Sequence, residues 1–196
     1  MRKFKTEKRL HRITKAAESR QATLQLILEN IHDPHNVSAI YRTCDATGVQ
    51  NIGLVYTYEE FPKISRVTSS SANKWIETQC YKSVEECCCE LHKNGFKIYA
   101  SMLDENAVDF YELDLTEPVA LVVGNEHRGI SEEMQKLADK TFYIPMRGMV
   151  QSLNVSVASA VILYEAQRQR SLKGMYSVPS LPQNELDNLI DKWCEK

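Results

Sequence analysis

Apolar and polar positions along the chain follow two periods. Leu10, Ile13, Ala16 and Ala17 recur at helical spacing on an otherwise basic surface and predict a helix over 6–19. The run TLQLIL (23–28) predicts a strand. Asp33-Pro34 then supplies an N-cap followed by proline at the first helical position, and Gly48 is placed to stop that helix. NIGLVY (51–56) predicts a second strand, and the Ser/Thr-rich stretch 57–75 a mobile loop with a short helix. ETQCY (77–81) reads as a strand, and Ser83 to Glu86 as a capping box opening a helix that ends near Gly95. FKIYAS, VALVVG and TFYIPM are three further strands, alternating with helices over 131–139, 153–170 and 184–195. Strands and helices that alternate in this way predict an α/β fold with a mostly parallel sheet between helices.

Parallel sheets bind ligands outside the carboxyl ends of their strands. That rule singles out the loops after Ser101, after Val123 and after Met146. Of seven glycines in the chain, Gly124, Gly129 and Gly148 fall in the latter two. Backbone there must be approached closely or must adopt positive φ.

A length of 196 residues with 43% hydrophobic and 26% charged residues fits one globular domain. The first twenty residues are charged, and no apolar run approaches membrane-spanning length, so a cytoplasmic protein is expected. Six cysteines then read as reduced thiols. Cys87, Cys88 and Cys89 are consecutive, point about 100° apart on a helix and cannot converge on one ion, so no metal is expected. The net charge of −2 hides a strong asymmetry. Residues 1–20 carry eight Lys or Arg, among them Lys8, Arg9, Arg12 and Arg20, against Glu7 and Glu18. Such an arm either meets phosphate or is a solvated helix face. A second basic cluster, Arg168, Arg170 and Lys173, suits phosphate or the C-terminal end of a helix.

The loop Gly124 to Ser131 nearly matches a P-loop but has Ile130 where the phosphate-binding lysine belongs, with Glu126 close by. A nucleotide-triphosphate site is therefore disfavoured, and no G-x-G-x-x-G occurs. Glu126 suits a ligand that offers hydrogen-bond donors, or a helix N-terminus. Asn36 and Arg42 lie about 240° apart around one helix, whose apolar character points to a buried Arg42. Residues 155–166 are apolar on most sides and form either a core helix or the interface of a homodimer.

Three segments, NIHDPHNVSAIYRTCDATGV, VGNEHRGISEE and IPMRGMVQSLNVSVASAVILYEAQRQR, together resemble the signature motifs of the SPOUT RNA 2′-O-methyltransferases, and within them the branch acting on guanosine-18 of the tRNA D-loop. The resemblance runs over nearly the whole chain. It implies an α/β domain with a deep trefoil knot near the C-terminus, acting as a homodimer with the reaction site at the interface. On this reading 1–20 is a basic N-terminal arm, 21–172 the methyltransferase domain and 173–196 a C-terminal helical extension. S-adenosylmethionine is the implied methyl donor, held by Ser101, Val123, Gly124, Asn125, Glu126, Gly129, Ile144, Met146 and Leu153. Asn36, Arg42, Glu126, Ser152 and Asn154 are the implied catalytic set, with Arg42 as the activator of the 2′-hydroxyl. A guanidinium holds its proton and has no acceptor, so positioning and electrostatic stabilisation suit Arg42 better than proton abstraction. Lys8, Arg9, Arg12, Arg20, Arg168 and Arg170 are the implied RNA contacts. Two other functions fit less well: ribosomal RNA methylation by a relative, and a non-catalytic RNA-binding module. No membrane association is expected.

Overall fold

The computed structural model describes residues 2–62 and 72–196. Among these residues seven strands, β1 (Gln21–Glu29), β2 (Val49–Val55), β3 (Glu77–Tyr81), β4 (Lys97–Ser101), β5 (Val108–Asp109), β6 (Val119–Val123) and β7 (Lys140–Tyr143), form one sheet. Its order is β3-β2-β1-β6-β4-β7-β5, and every pairing is parallel. Among the described residues six α-helices accompany it: α1 (Glu7–Glu18), α2 (Pro34–Thr47), α3 (Val84–Lys93), α4 (Glu132–Leu137), α5 (Val155–Leu172) and α6 (Gln183–Cys194). The expected α/β architecture is therefore present.

Alternation along the central strands divides the core. Leu24, Leu26 and Leu28 of β1, with Val119, Leu121 and Val123 of β6, pack under α2 and α5. Ile27, Ala120 and Val122 face the other way, against α3 and α4. Each such buried aliphatic side chain contributes about 1.5–3 kcal/mol relative to exposure. A third apolar cluster joins Ile13 and Ala17 of α1 to Leu186, Leu189, Ile190 and Trp193 of α6. The basic N-terminal helix is thus docked on the last helix.

Local signals end the elements where the sequence places them. Asp33 caps α2 by accepting from the His35 N–H at 2.8 Å, and Gly48 closes it at φ +81°. Ser83 caps α3, but Glu86 reaches back to the Lys82 N–H instead of that of Ser83. Other expectations need correction. The strand expected over 141–146 stops at Tyr143, so Ile144 to Met146 leave the sheet. The two-residue strand β5 and the 3-10 turn Phe110–Glu112 carry no periodic signal and were not expected. In the stretch read as a mobile loop, Ala72–Lys74 form a 3-10 turn, while 63–71 lie outside the described residues.

The two expected phosphate contacts at Arg20 and Arg170 are also corrected. Arg170 is 0% exposed. Its guanidinium donates to the carbonyls of Leu115 (2.8 Å), Thr23 (2.9 Å) and Glu117 (2.9 Å), and to Thr23 Oγ1 and Gln21 Oε1. Burial pushes its pKa down to about 10, against the pull of Tyr176, Asp114 and Glu117, so it remains charged at neutral pH. Arg20, 2% exposed, pairs with Asp45, donates to the Val49 carbonyl at 3.0 Å and lies over the Trp193 ring. Neither side chain stands on the surface where a phosphate would meet it.

Arg170→Met keeps much of the aliphatic stem but leaves three buried carbonyls without a donor. It should lower the unfolding free energy by about 3 kcal/mol or more in urea titrations. A surface phosphate-contact role predicts instead an unchanged urea midpoint.

Candidate active site

The carboxyl ends of β4, β6 and β7 open into one cleft of about 980 Å³. Its lining includes all nine residues expected around the methyl donor: Ser101, Val123, Gly124, Asn125, Glu126, Gly129, Ile144, Met146 and Leu153. Ser152 and Asn154 line it too. The early end of β7 has a consequence here, because Ile144 and Met146 become wall residues instead of sheet residues.

The loop after β6 is held by its own backbone. Asn125 and Gly129 exchange two main-chain hydrogen bonds of 2.9 and 2.8 Å, with Gly129 at φ +70°. A Cβ on Gly124 would lie 2.2 Å from the Gly129 carbonyl carbon, so only glycine fits. The Asn125 side chain accepts from the His127 and Arg128 N–H groups and donates to the Asn30 carbonyl at 2.7 Å. Gly148 has no positive φ, and a Cβ added there would meet no protein atom within 4 Å.

A directed chain of polar contacts ties the three motif segments together. Asn154 caps α5, its Oδ1 accepting from the Ser156 N–H at 2.9 Å. Its Nδ2 therefore faces outward, and donates to Asn36 Oδ1 at 3.1 Å. Asn36 in turn donates from Nδ2 to Glu126 Oε1 at 2.9 Å. The Glu126 carboxylate also accepts from the His32 (3.0 Å) and Asp33 (3.1 Å) N–H groups, at the start of α2. Burial disfavours the charge on Glu126, but the Asn36 amide and these backbone donors outweigh it and hold its carboxyl below the usual range. Both readings of Glu126 thus meet in one residue, which lines the cleft and holds a helix N-terminus.

Arg42 departs from expectation. It is exposed, does not line the cleft, and has no hydrogen bond or ion pair among the described residues. The buried stripe of α2 is Val37, Ile40, Tyr41 and Cys44, and position 42 lies off it. The other basic candidates divide. Lys8, Arg9 and Arg12 are exposed on α1, and Arg168 is exposed but already forms a two-point ion pair with Glu165 at 2.8 Å. Met102, Leu103, Arg128, Ile130 and Gln151 also line the cleft, from the strand-end loops singled out in the sequence but without having been named individually as lining residues. Leu103 did carry a signal, a large apolar side chain just past a strand end, and it is 67% exposed. Among the described residues, no group of three or more His, Cys, Asp or Glu side chains could hold a metal ion.

Glu126→Gln sets a second amide against the Asn36 Nδ2–H or the two backbone donors. It should cost about 1–2 kcal/mol at pH 7. Because the folded carboxyl titrates low, its contribution is complete above the unfolded Glu pKa and is lost as pH falls through the folded value. Urea titrations between about pH 5 and pH 3 should therefore show a steeper loss for the parent protein than for Glu126→Gln. Parallel losses would contradict an ionised Glu126.

Comparison with known proteins accords with this geometry. A model of the SpoU rRNA Methylase family matches residues 23–164. The tRNA (guanosine(18)-2′-O)-methyltransferase of Thermus thermophilus is 45% identical over 192 residues, covering 98% of each chain. The crystal structure of the Aquifex aeolicus TrmH/SpoU tRNA modifying enzyme superimposes with a TM-score of 0.90 at 44% identity, over 96% of each chain. The SpoU methyltransferase AviRb from Streptomyces viridochromogenes, solved in complex with AdoMet, superimposes with a TM-score of 0.68 at 26% identity, over 76% of this chain and 60% of that one. Motifs, strand order and full-length likeness agree: the chain belongs to the SpoU rRNA methylase family.

Proposed function

We propose that this protein transfers the methyl group of S-adenosylmethionine to the ribose 2′-hydroxyl of guanosine-18 in the D-loop of tRNA. The observation that carries the reading is the cleft at the strand ends, walled by the segments after β4, β6 and β7 and joined to α2 through Asn154, Asn36 and Glu126. Its volume falls within the range of small-molecule pockets. Val123, Ile130, Ile144 and Leu153 offer an apolar wall, and among the described residues its lining holds one arginine and no lysine. That balance suits a donor built of a base, a sugar and an amino acid without phosphates. When bound, S-adenosylmethionine supplies an electrophilic sulfonium methyl. Ser152, exposed beside Asn154, is free to meet the ribose. The relatives that match along almost the whole chain are named for guanosine-18 of tRNA, which favours tRNA over ribosomal RNA.

The homodimer belongs to this proposal. Val157 and Tyr164 of α5 stand 49% and 52% exposed, and α2 packs against α5 with Arg42 outside its own cleft. A second copy docked there covers the apolar side chains and lets Arg42 serve a site shared between two chains. Arg42 then orients the hydroxyl and stabilises developing alkoxide charge. Strand order supports a trefoil knot: β7 lies between β4 and β5, which are consecutive in the chain, and β6 lies between β1 and β4. We divide the chain into a basic arm (1–20), a methyltransferase domain (21–172) and a C-terminal extension (173–196), with the exposed Lys8, Arg9 and Arg12 facing RNA. Six unpaired thiols support activity in the reducing cytoplasm. No helix among the described residues is long and apolar enough to cross a membrane.

Labelled S-adenosylmethionine and unmodified tRNA, followed by nucleoside mapping, should yield 2′-O-methylguanosine in the D-loop. Label in ribosomal RNA alone, or on a base, overturns the reading. Arg42→Ala should slow transfer about a hundredfold, with S-adenosylmethionine affinity retained.

A further inference from the structure

Asn30, the residue after β1, is fully buried and, among the described residues, is the one non-glycine at positive φ, +52°. The left-handed region disfavours residues that carry a Cβ, asparagine less than most, and such a conformation persists only where the surroundings fix it. Here both main-chain groups are fixed. The Asn30 N–H donates to the Val55 carbonyl at 3.0 Å, and the Asn30 carbonyl accepts from Asn125 Nδ2 at 2.7 Å. With the main chain held so, the side chain meets the segment that follows β2. Its Oδ1 accepts from the N–H groups of Thr57 (2.9 Å), Tyr58 (3.3 Å) and Glu59 (3.3 Å), and its Nδ2 donates to Thr57 Oγ1 at 3.3 Å. One side chain thus shapes the 57–59 turn.

That turn reaches the mouth of the cleft by two routes. A Glu59 carboxylate oxygen pairs with His32 Nδ1 at 3.0 Å, and the His32 backbone N–H is one of the donors that hold Glu126. Arg128, the arginine of the cleft lining, lies over the Tyr58 ring at 5.1 Å. Asn30 itself does not line the cleft. It acts there only through these neighbours.

We propose that Asn30 is a positioning residue for methyl transfer: it holds the 57–59 turn so that His32 and Arg128 keep one arrangement at the mouth of the cleft. The proposal rests on the transferase reading above. The donor loop has supports of its own, since the crowding at Gly124, the Asn125–Gly129 backbone pair and the Asn125 contacts to His127 and Arg128 do not involve the Asn30 side chain. Loss of that side chain therefore disturbs the rim and spares the donor loop.

Glycine adopts φ +52° freely and keeps both main-chain bonds, so Asn30→Gly removes only the contacts with 57–59. It should bind S-adenosylmethionine with parental affinity, yet lower kcat at saturating donor and tRNA by about ten- to a hundredfold. Glu59, with Glu126 and Asp33 nearby, holds the His32 imidazole above its ordinary pKa, so a released turn should let the His32 NMR signal titrate at lower pH. Tyr58→Ala/Glu59→Ala leaves Asn30 and the turn's backbone bonds in place and should reproduce the loss of kcat, again with donor affinity retained. Parental kcat in either variant overturns the proposal. So does an Asn30→Gly protein whose His32 titrates as in the parent, or one whose whole loss lies in S-adenosylmethionine affinity, because Asn30 would then serve the donor loop. Should Asn30→Gly fail to fold, kcat of the double variant decides between the same outcomes. A parent protein that methylates no RNA removes the proposed reaction alone, since the His32 titration still reports whether Asn30 holds the turn.

Discussion

Two side-chain amides and one carboxylate fix the geometry on which the cleft depends. Asn154 and Asn36 are 118 positions apart in the chain, and Asn36 and Glu126 are 90 apart. Each link sets the orientation of the next. Asn154 must present its oxygen to the start of α5, so its amide N–H group turns to Asn36. Asn36 must then present its own N–H group to Glu126, which when ionised is an acceptor only. The start of α2, the loop after β6 and the start of α5 are therefore one polar unit. Within a low-dielectric setting such a chain is favourable when complete and costly when one member is missing.

The sheet explains why these segments meet at all. All strands are parallel, so their carboxyl ends share one edge, and insertion of β6 between β1 and β4 brings the Gly124 loop beside the start of α2. The crowding at Gly124 and the paired backbone of Asn125 and Gly129 then give that loop one shape. Rigid walls of this kind suit a methyl donor that must be held in line for attack, one source of the rate advantage of such a transfer.

Much of this was legible in the chain because its causes are local. Alternating apolar runs mark the strands, and Asp33, Ser83 and Gly48 mark helix ends through hydrogen bonds made within a few residues. The loops at the strand ends follow from the parallel topology, so the cleft-lining residues followed with them. Arg170 could not be read in this way. Its partners Leu115 and Glu117 lie more than fifty positions away, and a basic residue at a helix C-terminus looks the same whether it meets phosphate or buried carbonyls. The exposure of Arg42 was legible and was misread as burial: the stripe of Val37, Ile40, Tyr41 and Cys44 already places position 42 on the open side of α2. β5 is two residues long and owes its existence to its neighbour β7, so no pattern could announce it.

The most direct test is a double-mutant cycle of Asn36→Ala and Asn154→Ala read in S-adenosylmethionine affinity. One polar unit predicts a coupling of about 1 kcal/mol or more, the second substitution costing little once the first is made. Independent effects, with each variant weakening binding by the same factor in either background, would contradict it.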